Sequence, residues 1–193
     1  MLLDLPKFQK ELDAIESTKK NTGEIVILHC PTNATVRTKG TIHIDAVLEQ
    51  IVAETKHNIR LVRPYKEKEG TSYNYTASRY ELFRMFKEAD IVIDQMVIGW
   101  YGLLSVEALA AGRDVVCFVD EKLKPYLFPG CPIHVADVNT LKKTLLDCID
   151  QYARGIQPDT SRQLEWLKKY HTIEGNHSEL LNAWNMNHQS KVN

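Results

Sequence analysis

The stretch ADIVIDQMVIGWYGLLSVEALAAGRDVVCFV, residues 89–119, decides the fold. It begins with a short apolar run rich in β-branched residues, which is typical of a strand covered on both faces. A turn containing two glycines follows, and then a helical segment that ends at Gly112, where a helix C-terminus favours a residue able to adopt positive φ. A second apolar run completes a strand–helix–strand unit, which indicates two parallel strands.

The same alternation of strand and helix extends to both sides of this stretch. EIVILHC, residues 24–30, predicts the first strand, and TIHIDAVLEQIVAE, residues 41–54, predicts a helix with apolar residues at helical spacing. Further strands are expected in NIRLVRPY and PIHVAD, and further helices in SRYELFRMFKEA, in VNTLKKTLLDCIDQYARG and in two C-terminal segments. We therefore expect an α/β fold, a Rossmann-like three-layer sandwich with a parallel sheet between helices.

Length and composition favour one domain. A chain of 193 residues, 44% of them hydrophobic, is long enough for one core, and no repeat or low-complexity linker divides it. The opening segment LPKFQKELDAIESTKKNTG predicts an extra helix closed off by Gly23. The resulting organisation is a helix or linker at 1–23, a Rossmann-like binding domain at 24–187 and a tail at 188–193.

Charge and cysteine content restrict the partners. The chain carries 24 Lys and Arg against 25 Asp and Glu, which gives no support to a nucleic-acid partner and favours small molecules or proteins. No run approaches the ~18 apolar residues of a membrane span, and the early charges argue against a signal peptide, so we expect a cytoplasmic protein. Contact of a basic surface with a membrane stays open. The four cysteines are far apart and the histidines are scattered, so we expect reduced thiols and no metal site.

Two loops of the predicted sheet are candidates for the ligand site. In an open parallel sheet the site lies outside the carboxyl ends of the strands. The loop after the first strand contains Asn33, Arg37 and Lys39 next to Gly40, and the loop before the central helix contains Gly99, Trp100, Tyr101 and Gly102. A helix N-terminus with nearby glycine and lysine suits a phosphate group.

The side chains in these loops also have structural interpretations. Lys39 can be a solvated charge in a turn, and Trp100 and Tyr101 can be core or interface anchors. Glu107 suits hydrogen bonds from hydroxyls such as those of a ribose, but it can also lie on the exposed face of an amphipathic helix. Asp94, at the end of a strand, can cap backbone N–H groups or act in catalysis.

Several sequence motifs of other enzyme classes do not occur. The glycine spacing does not match G-x-G-x-x-G, and the chain has no G-x-x-x-x-G-K-[ST], H-E-x-x-H or G-x-S-x-G. No motif therefore supports assigning the chain to the dinucleotide-dependent oxidoreductases, P-loop enzymes, zinc proteases or serine hydrolases.

Taken together, these segments resemble the C-terminal, donor-binding half of a GT-B glycosyltransferase of the large retaining group (group 1, family 4-like). The resemblance runs from about residue 24 to residue 184. HCPTNATVRTKGT looks like that group's phosphate-binding loop, and residues 89–120 look like its signature strand, loop, helix and strand. PGCPIHVADVNTLKKTL and WLKKYHTIEGNHSELLNAW are similar to its closing strand and helices.

The resemblance implies roles for individual residues. Lys39 matches the lysine that contacts the donor diphosphate, and Glu107 matches the second Glu of the Glu-x7-Glu motif, which binds the ribose hydroxyls. Backbone amides of the turn at Gly102, Leu103 and Leu104 would face the donor phosphate and sugar. The first Glu of the motif, which contacts the donor sugar in the family, falls on Gly99.

Besides Gly99, the sequence departs from the family's pattern in the residues that would neutralise the phosphate. The arginine often found a few residues before the lysine is missing, with Asn33 near that place and Arg37 closer to Lys39 than the pattern asks. Neutralisation of the phosphate then rests on Lys39, Arg37 and the helix N-terminus. Tyr101, and the aromatic insertion around Tyr73 and Tyr75, are further candidate ligand or partner contacts.

The activity that the resemblance implies is transfer of a sugar from a nucleotide-diphosphate donor to an acceptor hydroxyl, with retention and without a metal ion. The family's acceptor site lies in an N-terminal domain, whereas 23 residues precede the first strand here. We therefore expect a donor-binding domain that needs an N-terminal acceptor domain or a partner chain, whether as an excised piece, a natural truncation or a subunit. A non-catalytic nucleotide-sugar-binding or interaction module is the alternative, and a sugar-nucleotide epimerase of the same fold matches the motifs less well.

Overall fold

The described chain folds around a five-stranded parallel sheet with helices on both faces. The computed structural model describes residues 2–17, 23–31, 39–67, 77–177 and 181. Its strands are β1 (Ile25–Leu28), β2 (Ile59–Val62), β3 (Ile91–Ile93), β4 (Asp114–Cys117) and β5 (His134–Val135). Its helices are α1 (Leu5–Asp13), α2 (Thr41–Glu54), α3 (Pro64–Glu67), α4 (Arg79–Glu88), α5 (Leu103–Ala110), α6 (Leu141–Ala153) and α7 (Thr160–His171), with a short 3-10 helix at Lys124–Tyr126.

The strand order places a switch point in the middle of the sheet. The order is β2-β1-β3-β4-β5, and every neighbouring pair is parallel. The chain moves outward from β1 to β2, crosses back through α4 to β3 on the other side of β1, and then continues outward. Because the direction reverses between β1 and β3, the helices that follow these strands lie on opposite faces of the sheet, α2 on one face and α5 on the other, and a crevice forms between their starts. The expected Rossmann-like α/β fold is confirmed.

Two hydrophobic cores cover the two faces of the sheet. One face packs against α1, α4, α5 and α7, with Phe8, Phe86 and Leu109 at most 1% exposed. The other face packs against α2 and α6, where Ile44, Leu48, Leu141 and Leu145 are completely buried. Burial on both faces is the reason that β1 and β4 are nearly continuous apolar runs rather than alternating ones.

Several element boundaries agree with the sequence-based expectation. Helix α2 spans the expected residues 41–54. Gly112 follows α5 with φ of 72°, which confirms the left-handed position expected at the end of that helix. Of the two expected C-terminal helices, α7 is present and residues 173–177 are helical, while Leu180 and Trp184 lie outside the described residues.

Two boundary expectations are wrong. The opening helix does not continue to Gly23 but ends at Asp13, with Ala14 as its C-cap, and only its apolar residues Leu5, Phe8 and Leu12 are buried. The strand expected through NIRLVRPY stops at Val62, and α3 begins at Pro64. Proline has no backbone N–H for the sheet and has the φ of a first helical residue, which explains the change.

Helix α1 is packed into the same core as the rest of the domain. The rings of Phe8 and Phe83 make an edge contact with centroids 4.9 Å apart. The Leu3 N–H donates to the carbonyl of His171 at 2.6 Å, which joins the N-terminal segment to the end of α7. The segment before β1 therefore contributes to packing, and the expected tail at 188–193 lies outside the described residues.

Two further expectations concern the cysteines, expected as reduced thiols, and the lack of a run long enough to span a membrane. All four cysteines are unpaired, with Cys117 and Cys148 buried and Cys30 and Cys131 partly buried. None of the helices in the described segments is long and apolar enough to cross a membrane.

The core packing of α5 leads to a stability prediction. Leu109 is completely buried between α5 and its neighbours, so Leu109→Ala removes packing and leaves a cavity. We expect a loss of about 2–5 kcal/mol in the free energy of unfolding, measured by denaturant titration. Leu123→Ala, at a site that is 38% exposed, is the control and should cost no more than about 1 kcal/mol. Equal costs for the two variants would contradict the described packing.

Candidate functional site

The carboxyl ends of β1 and β3 bring the two candidate loops together. Helix α2 begins after Gly40, whose φ is 70°, and α5 begins after Gly102; neither helix has a hydrogen bond from a side chain of its own N-cap residue. The loops are joined where the Met96 N–H donates to the Lys39 carbonyl at 3.0 Å. The described parts of the two predicted loops therefore lie side by side at the switch point, as the parallel-sheet rule requires.

The carboxylate of Asp94 lies at the centre of this crevice. Asp94 is completely buried, and its Oδ1 pairs with the Lys39 ammonium. Its Oδ2 accepts from the Gly102 N–H at 2.9 Å and from the Ser105 hydroxyl at 2.7 Å. Of the two interpretations of Asp94 from the sequence, the structure shows the capping one, through the backbone N–H of Gly102. A carboxylate of the protein thus occupies part of the N-terminus of α5.

Donor groups for a ligand remain beside Asp94. The Lys39 side chain is 22% exposed, and its Nζ lies 3.9 Å from the position that a Cβ would take on Gly102. Within the described residues, nothing accepts from the N–H groups of Leu103 and Leu104, in the first turn of α5. A Cβ on Gly102 would also lie 3.2 Å from Asp94 Oδ2, so glycine permits the close approach of these groups.

Glu107 is buried and paired, so the exposed-face interpretation of this residue is wrong. Its side chain is 6% exposed and accepts from Arg79 Nη1 at 2.9 Å. The same guanidinium donates through Nε to Glu11 at 2.9 Å and lies 4.6 Å from the centre of the Phe83 ring. Arg79 is half-exposed at the start of α4, a helix that begins at the same edge of the sheet. Ribose hydroxyls at Glu107 would have to share its carboxylate with Arg79.

The segment between β3 and α5 is shaped by Gln95, which the sequence analysis missed. Gln95 is completely buried, and its Oε1 accepts from the N–H groups of Val97 and Ile98 at 2.8 and 2.6 Å. Its Nε2 donates to the carbonyls of Phe118 and Trp100 at 2.7 and 3.0 Å. The side-chain amide of Gln95 therefore supplies the backbone groups of this segment with hydrogen bonds that a helix or strand would otherwise provide.

Gly99 adopts a backbone conformation that favours glycine. Its φ is 86°, and its carbonyl accepts from the Asp120 N–H at 3.0 Å. A Cβ at this position would lie 3.2 Å from the Cβ of Asp120. The place where the resemblance expects a sugar-contacting Glu is therefore held by a residue with a left-handed backbone and little room for a side chain.

Tyr101 faces the protein interior. It is 4% exposed, its ring stacks on Trp100 with centroids 5.0 Å apart, and its hydroxyl lies 3.3 Å from Nε2 of His171. Burial raises the pKa of Tyr101 well above its ordinary value. The structure places this side chain in the aromatic packing beneath α7, in agreement with the core-anchor interpretation.

His29 is a second residue of the crevice that the sequence analysis did not single out. It is completely buried directly after β1; its Nδ1 lies 2.9 Å from the Ile93 carbonyl and its Nε2 lies 3.0 Å from the Thr41 hydroxyl. Because a carbonyl only accepts, Nδ1 carries the proton and Nε2 accepts from Thr41. Burial lowers the pKa of His29 to about 4, so the ring is neutral at physiological pH. A histidine directly after an apolar strand was the available signal.

The remaining candidates lie outside the described residues. These are Asn33 and Arg37 in the first loop, and Tyr73 and Tyr75 in the insertion before α4. In the described segments, no group of three or more His, Cys, Asp or Glu side chains is arranged to hold a metal ion.

A cavity of about 270 Å³ lies at the opposite, amino-terminal edge of the sheet, next to Gly112. Its cationic side chains are already engaged. Lys87 pairs with Asp13 at 3.6 Å, and Arg113 donates to the carbonyls of Ala111 and Ala89, both at 2.8 Å. We therefore place the candidate site at the carboxyl edge, where Lys39 and the N–H groups of α5 converge.

The fold is similar to that of a solved glycosyltransferase domain. One matching structure is the C-terminal domain of a glycosyl transferase group 1 family protein (LpcC) from Francisella tularensis, with a TM-score of 0.52 and 13% sequence identity. The alignment covers 89% of this chain and 94% of that domain. No family model and no curated protein matches the sequence. At this identity the likeness concerns the fold: a Rossmann-like domain of the type that forms the C-terminal part of such an enzyme.

Buried His29 generates a pH prediction. Between the ordinary pKa of 6.5 and about 4, the unfolded chain takes up a proton that the folded protein excludes, so stability falls as the pH decreases through this window. We expect the His29 contribution to the free energy of unfolding to fall by about 2 kcal/mol between pH 7 and pH 5. His29→Asn keeps a donor near the Ile93 carbonyl and should lose correspondingly less over the same interval. Identical pH profiles for the two proteins would refute this account.

The backbone at Gly99 generates a second prediction. Gly99→Ala should lower the free energy of unfolding by the ~1–2 kcal/mol that a left-handed alanine costs. It should lower it further because the new Cβ would contact Asp120. Gly130→Ala is the matched control, because Gly130 has φ of 74° and no atom within 4 Å of its Cβ position. In thermal or denaturant unfolding, Gly99→Ala should therefore be the more destabilising of the two. Equal costs would show that the Asp120 contact is unimportant, and the reverse order would contradict the described geometry.

Proposed function

We propose that this domain is the donor-binding half of a glycosyltransferase. In this proposal it binds a nucleotide-diphosphate sugar, whose sugar is transferred to an acceptor hydroxyl with retention at the anomeric carbon. The observation that carries the proposal is the convergence of the Lys39 ammonium with the N–H groups of Leu103 and Leu104. This convergence occurs at the switch point of a fold similar to a glycosyltransferase C-terminal domain.

The diphosphate of the donor would take the place in front of α5. The partial positive charge of the helix N-terminus and its two N–H donors favour an anion there, and Lys39 adds charge-assisted hydrogen bonds. When the glycosidic bond to the diphosphate breaks, the electron pair stays on the phosphate oxygen. Donors that are already oriented toward that oxygen stabilise the leaving group at no cost in reorganisation. The proposal assigns this role to protein groups and to no metal ion.

The ribose and the acceptor would lie on either side of the diphosphate. In this arrangement the ribose hydroxyls donate to Glu107, whose carboxylate is held in place by Arg79. The acceptor hydroxyl has to be presented from the opposite side of the crevice. We assign that task to an N-terminal acceptor-binding domain or a partner chain.

A non-catalytic nucleotide-sugar-binding module is the second candidate. The observation that favours it is Gly99, because its left-handed backbone and the neighbouring Asp120 disfavour a sugar-contacting carboxylate at that position. The two candidates differ in turnover. A transferase releases nucleoside diphosphate from a bound donor when an acceptor-binding partner is added, whereas a binding module leaves the donor intact.

Calorimetry tests whether the crevice binds a donor. Titration with UDP, GDP, ADP and their sugars should identify one nucleotide that binds. Lys39→Ala and Glu107→Gln should each weaken its binding by about tenfold to a hundredfold, the value of charge-assisted hydrogen bonds. Lys142→Ala, in α6 on the other side of the domain, where it pairs with Glu54 of α2, is the control and should bind as the unaltered protein does.

Thermal unfolding shows whether each variant is folded before it is titrated. The absence of binding by any nucleotide at millimolar concentration would refute the proposal. Normal affinities in both folded variants would refute it as well, because the nucleotide would then bind elsewhere.

A further inference from the structure

The carboxylate of Asp94 restricts what the α5 N-terminus can bind. Asp94 is completely buried and holds three donors: the Lys39 ammonium, the Gly102 N–H and the Ser105 hydroxyl. A carboxylate bound by two donors of α5 cannot turn away without leaving them unpaired. Any anion that contacts Lys39 and the first turn of α5 therefore stays within a few ångströms of a fixed negative charge.

We propose that Asp94 is a built-in counter-anion, which lowers the affinity of this site for anions in proportion to their charge. The site then favours a nucleotide sugar over the free nucleoside diphosphate, which carries one further negative charge on its terminal phosphate. This selectivity rests on the proposed function, because it presupposes that a nucleotide binds in the crevice. Asp94 is a positioning residue in this account, since it acts on the ligand through Lys39 and through its charge.

The charges of the described crevice residues support this role. Lys39 and Asp94 together carry no net charge, so this pair and the start of α5 attract a diphosphate only through hydrogen bonds and the partial charge of the helix. Transfer of the sugar leaves the bond's electron pair on the diphosphate, which becomes more negative at the moment the reaction is complete. Repulsion from Asp94 is therefore stronger for the product than for the donor, and favours release of the nucleoside diphosphate.

The substitution Asp94→Asn removes the negative charge, and with it the pairing with Lys39, but keeps the hydrogen bonds to the start of α5. The asparagine side-chain oxygen still accepts from Gly102 and Ser105, so the cap of α5 is kept while the negative charge is removed. Asp90→Asn is the matched control, because Asp90 is also a buried carboxylate, at the amino end of β3, where its Oδ2 accepts from the Val26 N–H at 2.8 Å. Both variants change the net charge equally and both remove a buried carboxylate.

Inorganic pyrophosphate is the first probe, since it needs neither a base nor a sugar. We expect calorimetry to show about tenfold tighter binding of pyrophosphate to Asp94→Asn than to the unaltered protein, as removal of one charge a few ångströms away implies. Asp90→Asn should bind pyrophosphate as the unaltered protein does. Asp94→Ser, which also removes the charge, serves as the second variant if the asparagine protein does not fold.

The nucleotide that binds in the crevice is the second probe, as its sugar and as the free diphosphate. Asp94→Asn should gain more affinity for the free nucleoside diphosphate than for the nucleotide sugar, whereas a purely structural role would change both equally. Equal pyrophosphate affinities in the two proteins, or no binding by either, would overturn the inference. If pyrophosphate behaves as expected but no nucleotide binds, the donor-binding proposal fails and the role of Asp94 as counter-anion stands.

Discussion

The Asp94 carboxylate joins three segments whose positions define the crevice. A buried carboxylate is unfavourable unless it is paired and hydrogen-bonded, and here its partners come from the end of the first loop and from the start of α5. The direction of Lys39, the glycine at position 102 and the place where α5 begins all follow from the requirement to satisfy this one group. Displacing any of them would leave a buried charge incompletely paired.

Polar side chains at the same edge connect the helices to one another. His29 links the end of β1 to the carbonyl of Ile93 and to the first residue of α2, while Arg79 joins α4 to both α1 and α5 through Glu11 and Glu107. The two faces of the sheet, in contrast, are held by apolar packing. Apolar burial supplies the main stabilisation of such a fold, and directional hydrogen bonds determine how the loops and helix ends are arranged above it.

The fold could be predicted from the sequence because its decisive features are local. Continuous apolar runs of the length of β1 and β4 favour a covered parallel strand, and the apolar repeat of α2 indicates its whole extent. The carboxyl-edge rule likewise predicts that Lys39 and Gly102 lie close together.

The side chain or backbone group with which each polar side chain pairs was not predictable in this way. Lys39 pairs with a residue 55 positions away and Glu107 with one 28 positions away, so each pairing depends on how helices and loops lie across the sheet. Gln95 forms its hydrogen bonds with backbone N–H and carbonyl groups. A sequence does not show which backbone groups of a bent segment lack partners, so this role could not be predicted.

The internal pairing of the charged groups changes what ligand binding at this edge requires. A crevice with free charges gains the full interaction with an incoming anion, whereas Lys39 and Arg79 already have carboxylate partners. A ligand gains only the difference between its contacts and those it replaces or shares. The N–H groups of Leu103 and Leu104 are different, because no group in the described part of the chain accepts from them. An acceptor placed there replaces only water. In the proposed complex the first turn of α5 would therefore set the position of the phosphate, and the paired side chains around it would set how strongly its charge is held.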